Sequence, residues 1–316
     1  MINGGLLAAL AAAVTLVSPA QLVIAPPTPP VSPLVDLDIA LGDAQTRMTV
    51  PVSIADRGPW GFIIDTGAER TVVSRELAGV LGLPAGPGVR VTAMTGTSTV
   101  ATVIVSALSV SSISRETIDA PALETRNLGA PGMLGIDALQ GHSVAIDFDR
   151  NIMQLKPSRR RGTAARRDGD DIVISARSLF GQLIVTDAHW RGQRIAVVID
   201  TGSAISVGNP ALRTLMQDRM RPIGAVSMLG ATGGTLVADA YSVDGVELGG
   251  IGFQNFQIAF ADAPPFRRFG LGTRPAVLLG MDALRLFRSV DIDFANREIR
   301  FKLPRRSGIA MSLGGG

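Results

Sequence analysis

Residues 60–74 read WGFIIDTGAERTVVS, and residues 195–209 read IAVVIDTGSAISVGN. The two stretches align without a gap, so Asp65 and Asp200, like Thr71 and Ser206, lie 135 positions apart. Outward from this pair the likeness continues: MLGIDAL at 133–139 returns as LLGMDAL at 278–284, and VAIDFDRNIMQL at 144–155 returns as VDIDFANREIRF at 290–301. Three blocks recurring in one order mark an internal duplication, and a duplication dictates architecture before any other pattern is read. The offset grows to 145 at Gly135 and Gly280, so the second copy carries about ten additional residues. The sequence places them in DAPPFRRFGLGT, as a surface-loop insertion.

Each copy consists of short Val/Ile/Thr runs broken by Gly, Pro, Asn and Asp, among them TVPVSI, VRVTAM, TVIVSALSV, DIVIS and GQLIVTDA. These are strand and turn signals. Helical patterns are confined to RELAGVLG, NPALRTLMQD, DALQ and DALRLF. The expectation is an all-β protein of two duplicated lobes with short helices, the first over 35–156 and the second over 171–303. A chain of 316 residues suits two such units. Between them, 157–170 has no apolar periodicity and an arginine-rich run, the pattern of a solvated linker; 304–316 is a tail.

The N-terminus has a different character. GGLLAALAAAVTLVSPA is apolar, ends in small residues and runs into a Pro-rich linker at 26–34. Residues 1–25 read either as a secretory signal with a cleavage site at Ser18-Pro19-Ala20, or as an uncleaved anchor whose apolar character continues to Ala25. Both readings put the two lobes outside the cytoplasm, secreted or periplasmic, and the second associates them with a membrane.

Composition removes several chemistries. There is no cysteine, hence no disulfide, thiolate nucleophile or thiolate zinc site, and only two histidines, His142 and His189. The net charge of +3 is spread over 30 basic and 27 acidic residues, too balanced for a nucleic-acid groove. No H-E-x-x-H helix and no G-x-S-x-G elbow occurs. The acids Asp147/Asp149 and Asp291/Asp293 alternate along strand ends, which places each pair on one solvent-facing side and not around a metal.

What remains is the pair of Asp-Thr-Gly triplets. An apolar strand running straight into Asp-Thr-Gly sets a carboxylate at a strand end, and the glycine permits a tight turn after it. Duplication preserves strands, but it need not preserve Asp, Thr and Gly in both copies unless something uses them.

With these motifs the sequence resembles the retropepsin-like aspartic peptidases, whose lobes each carry Asp-Thr-Gly and a later apolar-apolar-Gly segment. The resemblance covers roughly residues 35–303 and implies two β-barrel lobes in a pepsin-like pseudo-two-fold arrangement. By that resemblance Asp65 and Asp200 are the catalytic dyad, and Thr66 and Thr201 cross-brace the two loops. Gly67 and Gly202 let the loops approach, and Gly135 and Gly280 belong to the supporting segments. The substrate is a protein or peptide, and no cofactor or metal is required. Both lobes lie in one chain, so a monomer suffices; the alternative is a homodimer pairing Asp65 with a second Asp65.

The resemblance also implies β-hairpin flaps over the dyad. The hairpins are VTAMTGTSTVA, with Thr95 and Gly96, and VSMLGATGGTLVA, with Gly230, Thr232 and Gly233. Ala68 and Ser203, next after the triplets, complete the expected substrate-binding set. Ser203 is expected to reach Asp200 and favour its ionised form, leaving Asp65 to carry the shared proton; bonding within its own turn is the alternative. Glu69 and Arg70 fall at the cleft rim or pair with each other. The rival to an enzyme is a silent peptide-binding protein of the same shape, which would be free to lose one of the aspartates.

Overall fold

A computed structural model describes residues 21–24, 48–110, 113–158, 171–179 and 181–304. Strand Thr49–Ile54 turns Val50, Val52 and Ile54 inward and the residues between them outward, the period of a half-buried strand. It turns back through Ala55 and Asp56, both at positive φ, into strand Arg57–Ile64. The second copy makes the same turn with Arg191 and Gly192, between strands Gln182–Trp190 and Gln193–Ile199. Two positive-φ residues give a turn whose twist matches paired strands.

The duplication is exact at the level of topology. In the first lobe the neighbouring strands run Thr49–Ile54, Arg57–Ile64, Gly132–Leu134, Val72–Ser74, Ile113–Leu123, Gly96–Val110 and Ala85–Ala93. In the second they run Gln182–Trp190, Gln193–Ile199, Ala276–Leu279, Val207–Gly208, Phe256–Phe260, Thr235–Val243 and Met220–Leu229. The first sheet closes on itself where Ser53 pairs with Ser109 and Ile54 with Leu108. In the second, strand Val246–Leu248 returns to Gln182–Trp190.

The lobes join through strands contributed by both. His142–Asp147 of the first lies antiparallel to Ser289–Asp293 of the second, with Val144 opposite Ile292. Ile152–Pro157 and Glu298–Lys302 flank this pair, and Asp171–Leu179 carries the sheet into the second lobe. Val144, Ile146, Val290 and Ile292 are buried, so the main core passes through the junction without interruption. On its second-lobe side Phe287 stacks on Phe301 at 4.5 Å between ring centroids. Burying each such ring contributes about 2–3 kcal/mol.

The four helices expected from sequence form at Arg75–Leu81, Pro210–Met216, Ile136–Leu139 and Met281–Leu284. Ser74 and Asn209 cap the first two by accepting from the amides of Leu77 and Leu212. Two further short helices were not expected, Thr125–Leu128 and Pro264–Arg268. The second lies within DAPPFRRFGLGT, so the insertion is not a surface loop. Phe266, Phe269 and Leu271 are buried in a satellite core, and the Asn209 amide donates to the carbonyls of Leu271 and Arg274, both at 2.7 Å.

Asp293 also departs from expectation. Instead of facing solvent it is buried, accepting from Ser158 Oγ at 2.6 Å and from Asn296 Nδ2 at 2.7 Å. At the lobe junction the face that alternation assigned to water is covered by Ser158, from just beyond the first lobe's last strand. Of the segments read at the chain ends and between the lobes, residues 1–20, 25–47, 159–170 and 305–316 lie outside the described residues. Gln21–Ile24, within the stretch read as leader or anchor, pairs antiparallel with Ile251–Gln254 of the second lobe.

Candidate active site

The site begins with two strands that end in acid. Arg57–Ile64 and Gln193–Ile199 have buried C-terminal halves and deliver Asp65 and Asp200 to one place between the lobes. Each strand is pinned by its parallel neighbour: the Asp65 amide donates to Leu134 O at 2.9 Å and the Asp200 amide to Leu279 O at 3.0 Å. Each carboxylate then organises its own turn. Asp65 Oδ1 accepts from the amides of Gly67 and Ala68 at 2.8 and 3.0 Å, and Asp200 Oδ1 from those of Gly202 and Ser203 at 3.0 and 3.1 Å.

The turns are tied across the lobes by a reciprocal exchange. The Thr66 amide donates to Thr201 Oγ1 and the Thr201 amide to Thr66 Oγ1, both at 3.1 Å. Thr66 Oγ1 donates to Ile199 O at 2.8 Å and Thr201 Oγ1 to Ile64 O at 2.7 Å. Each hydroxyl thus accepts from one lobe's turn and donates to a strand, all of it buried. The glycines fit the same crossing. A Cβ on Gly67 would stand 2.9 Å from the Asp200 carboxylate, and one on Gly202 would stand 2.2 Å from that of Asp65. Only bare backbone lets each turn lie against the opposite acid.

Beneath each turn runs the Leu-Gly segment. A Cβ on Gly135 would collide with the Arg70 backbone at 2.4 Å, and one on Gly280 with that of Ile205 at 2.5 Å. Sequence reading missed the acids that follow these glycines. Asp137 Oδ1 accepts from the Thr71 amide and hydroxyl at 2.8 and 2.7 Å. Asp282 accepts from the Ser206 amide and hydroxyl at 2.9 and 2.7 Å. Thr71 and Ser206 in turn accept from the amides of Gly135 and Gly280. The signal was present, since Asp137 and Asp282 recur at the same offset as the glycines in MLGIDAL and LLGMDAL. Burial pushes the Asp282 carboxyl up to about 6, against the lowering effect of the Ser206 donors. Gln182 is a further missed contact: its buried amide donates to Gly67 O at 3.3 Å.

The acids differ in setting. Asp200 is buried and Asp65 half-buried. Burial first and the adjoining Asp65 carboxylate second push Asp200 up to about 8, with a side-chain hydrogen bond between the two acids adding to the rise. Two carboxylates at such range cannot readily both ionise, so the pair retains one proton, and the buried member is the favoured carrier. This reverses the assignment expected from Ser203. The Ser203 hydroxyl donates to Ile205 O at 2.7 Å within its own turn, and only its amide serves Asp200. A short side chain two residues from a free carbonyl takes the local partner.

Two hairpins reach toward each other from the two lobes, Ala85–Ala93 with Gly96–Val110, and Met220–Leu229 with Thr235–Val243. Their tips meet. Thr95 Oγ1 donates to Gly233 O at 2.8 Å, and Gly230 presses so closely on Thr95 that a Cβ would lie 2.1 Å from its hydroxyl. Each tip also packs on the opposite lobe: Met94 against the second lobe's satellite core, and Ala231, beside half-buried Thr232, against the first lobe's. Thr95, Gly230 and Gly233 thus come together where the hairpin tips meet, with Gly96 and Thr232 beside them in the chain, while Ala68 and Ser203 lie in the two aspartate turns.

Glu69 does not pair with Arg70. Its carboxylate takes Arg268 of the other lobe through Nε and Nη2, the latter at 2.6 Å, and these bonds hold the guanidinium further into its charged form. Arg268 ends the helix of the inserted segment, which the sequence had assigned to solvent.

Two strand-rich lobes that meet at paired aspartates and exchange threonine hydroxyls define a two-lobed retropepsin-like protein. The sequence model of the aspartyl protease family matches residues 50–138 and again 186–283, together more than half of the chain, and the chain belongs to that family. No curated protein matches it.

Proposed function

We propose that the chain is an aspartic endopeptidase that hydrolyses peptide bonds with a water activated between Asp65 and Asp200. The observation that carries this reading is the geometry of the dyad: two adjoining carboxylates, Asp200 buried and Asp65 half-buried, on glycine turns tied together by the exchanged hydroxyls of Thr66 and Thr201. In the cut, ionised Asp65 takes a proton from the attacking water while protonated Asp200 donates to the carbonyl oxygen as charge develops on it. A proton then passes to the leaving nitrogen. An extended peptide beneath the hairpins would be held by main-chain hydrogen bonds, as at other strand-lined grooves. One chain supplies both acids, which makes the monomer the active unit. The apolar N-terminal stretch supports a secreted or periplasmic setting.

The test is mass-spectrometric cleavage mapping of an unfolded protein mixture from acid to neutral pH, with the parent and its Asp200→Asn variant. Cuts by the parent and none by the variant are expected. Silence from a parent shown to be folded, or equal cutting by the variant, overturns the proposal.

A further inference from the structure

The two copies share Asp-Thr-Gly but part directly after it, and one of the differences exchanges a charged side chain for a methyl group. Where the first has Glu69, the second, 135 residues on, has Ala204. The inserted helix Pro264–Arg268 is likewise longer than its first-lobe counterpart Thr125–Leu128. Arg126 of that counterpart pairs with Glu124 of its own lobe, and Arg267 pairs with Asp262 of its own lobe. Arg268 is different, since it crosses to Glu69.

The surroundings place this crossing beside the Asp65 turn. Glu69 follows the Asp65 turn directly, and its backbone is held by the Asp137 amide, which donates to Glu69 O at 3.3 Å. The helix carrying Arg268 packs against Ala85–Ala93, one strand of the first lobe's hairpin. It is anchored on its own lobe by buried Phe266, Phe269 and Leu271. An element of the second lobe, anchored in its own core, thus touches the first lobe both at a hairpin strand and, through a two-pronged ion pair, beside the Asp65 turn. Arg–carboxylate pairs of this form fix geometry as well as charge.

We propose that Glu69 and Arg268 are specificity-determining residues that keep one end of the cleft neutral, and that this end, unlike the Ala204 end, discriminates substrates by charge once the pair is broken. The inference rests on the peptidase reading of the same cleft. Its logic is electrostatic. Together the two charges cancel toward a peptide side chain lying over them. With Glu69 neutralised, Arg268 attracts an acidic residue there; with Arg268 removed, Glu69 attracts a basic one. The pair is partly exposed, at 33% for Glu69 and 45% for Arg268, so each preference is roughly five-fold and fades in high salt.

The experiment has two readouts. Cut-site profiles come from the active chain, and binding of a peptide array, in which Asp, Lys or Ala is scanned through each position, comes from the Asp200→Asn chain. Both are measured with the native pair, with Glu69→Gln, with Arg268→Met, and with the reversed pair Glu69→Arg/Arg268→Glu. We expect Glu69→Gln to add an acidic preference and Arg268→Met a basic one, at the same position and on one side of the cut only. The reversed pair restores neutrality and guards against a merely misfolded single variant. A general loss of affinity with no positional change, or equal changes on both sides of the cut, overturns the inference. Peptide binding without cutting by the chain that retains both aspartates sinks the peptidase reading instead, and the array then decides this inference alone. Neither binding nor cutting sinks both.

Discussion

Replacing Thr201 by Val keeps the shape of the side chain and removes only its hydroxyl. Two buried hydrogen bonds go with it, the one accepted from the Thr66 amide at 3.1 Å and the one donated to Ile64 O at 2.7 Å. Thr66 and Thr201 are 2% and 5% exposed, so water does not replace the lost partner. Leaving a buried polar group unsatisfied costs about 1–3 kcal/mol, and two such losses give about 2–6 kcal/mol. Against a typical stability of about 5–15 kcal/mol this is a large fraction. At about 2–4 °C per kcal/mol for a chain of this size, it lowers the melting temperature by roughly 5–20 °C. Differential scanning calorimetry measures the shift directly, with Thr201→Ser as the control that retains the hydroxyl. Cleavage should fall as well, because the brace holds the two acidic turns in register. If the Val variant melts with the parent while Ser does no better, the exchange of hydroxyls does not hold the lobes together and the argument fails.

Other consequences are as direct. Gly202→Ala sets a methyl 2.2 Å from the Asp65 carboxylate, whereas Gly67→Ala meets Asp200 at 2.9 Å. Both should fold by circular dichroism, with Gly202→Ala losing more cleavage activity, and the opposite ranking would contradict the geometry. Asp282 has its carboxyl raised from 3.8 to about 6, so the folded state favours its protonated form. Its contribution to stability is therefore complete below about pH 4 and is lost as pH rises through about 6. Urea titrations across this window should show Asp282→Asn lacking that part of the decline, and parallel curves for parent and variant would refute the assignment. Thr95→Val removes the hydroxyl that joins the hairpin tips. Amide exchange at Gly233 and Gly234 should quicken, and unchanged protection would mean the tips are held by packing alone.

The site's centre was legible because duplication acts as an internal control. Asp65, Thr66 and Gly67 could be compared with Asp200, Thr201 and Gly202, and residues kept in both copies are those the crossing of the lobes requires. The same comparison, extended two residues past Gly135 and Gly280, would have found Asp137 and Asp282. Where the copies differ, the comparison had nothing to align, and most of the misreadings fall there. DAPPFRRFGLGT looked like a loop because its prolines and glycines break every period, yet three of its apolar side chains find a core. Ser203 was assigned by proximity to Asp200 along the chain, but a nearer acceptor in its own turn took the hydroxyl. The partnership of Glu69 with Arg268 spans 199 residues, a separation across which no local pattern operates. Asp293 alternates as an exposed residue would, and only the return of the chain at Ser158 covers it.

The glycines of the two turns have a consequence for how such a molecule can change over generations. The space beside Asp65 is kept clear by Gly202, and the space beside Asp200 by Gly67, so each half of the gene carries the permission for the other half's acid. After the ancestral unit was copied, neither half was left as a spare free to drift. A mutation in one triplet is felt first in the opposite lobe, and the duplicated halves are inherited as a matched set.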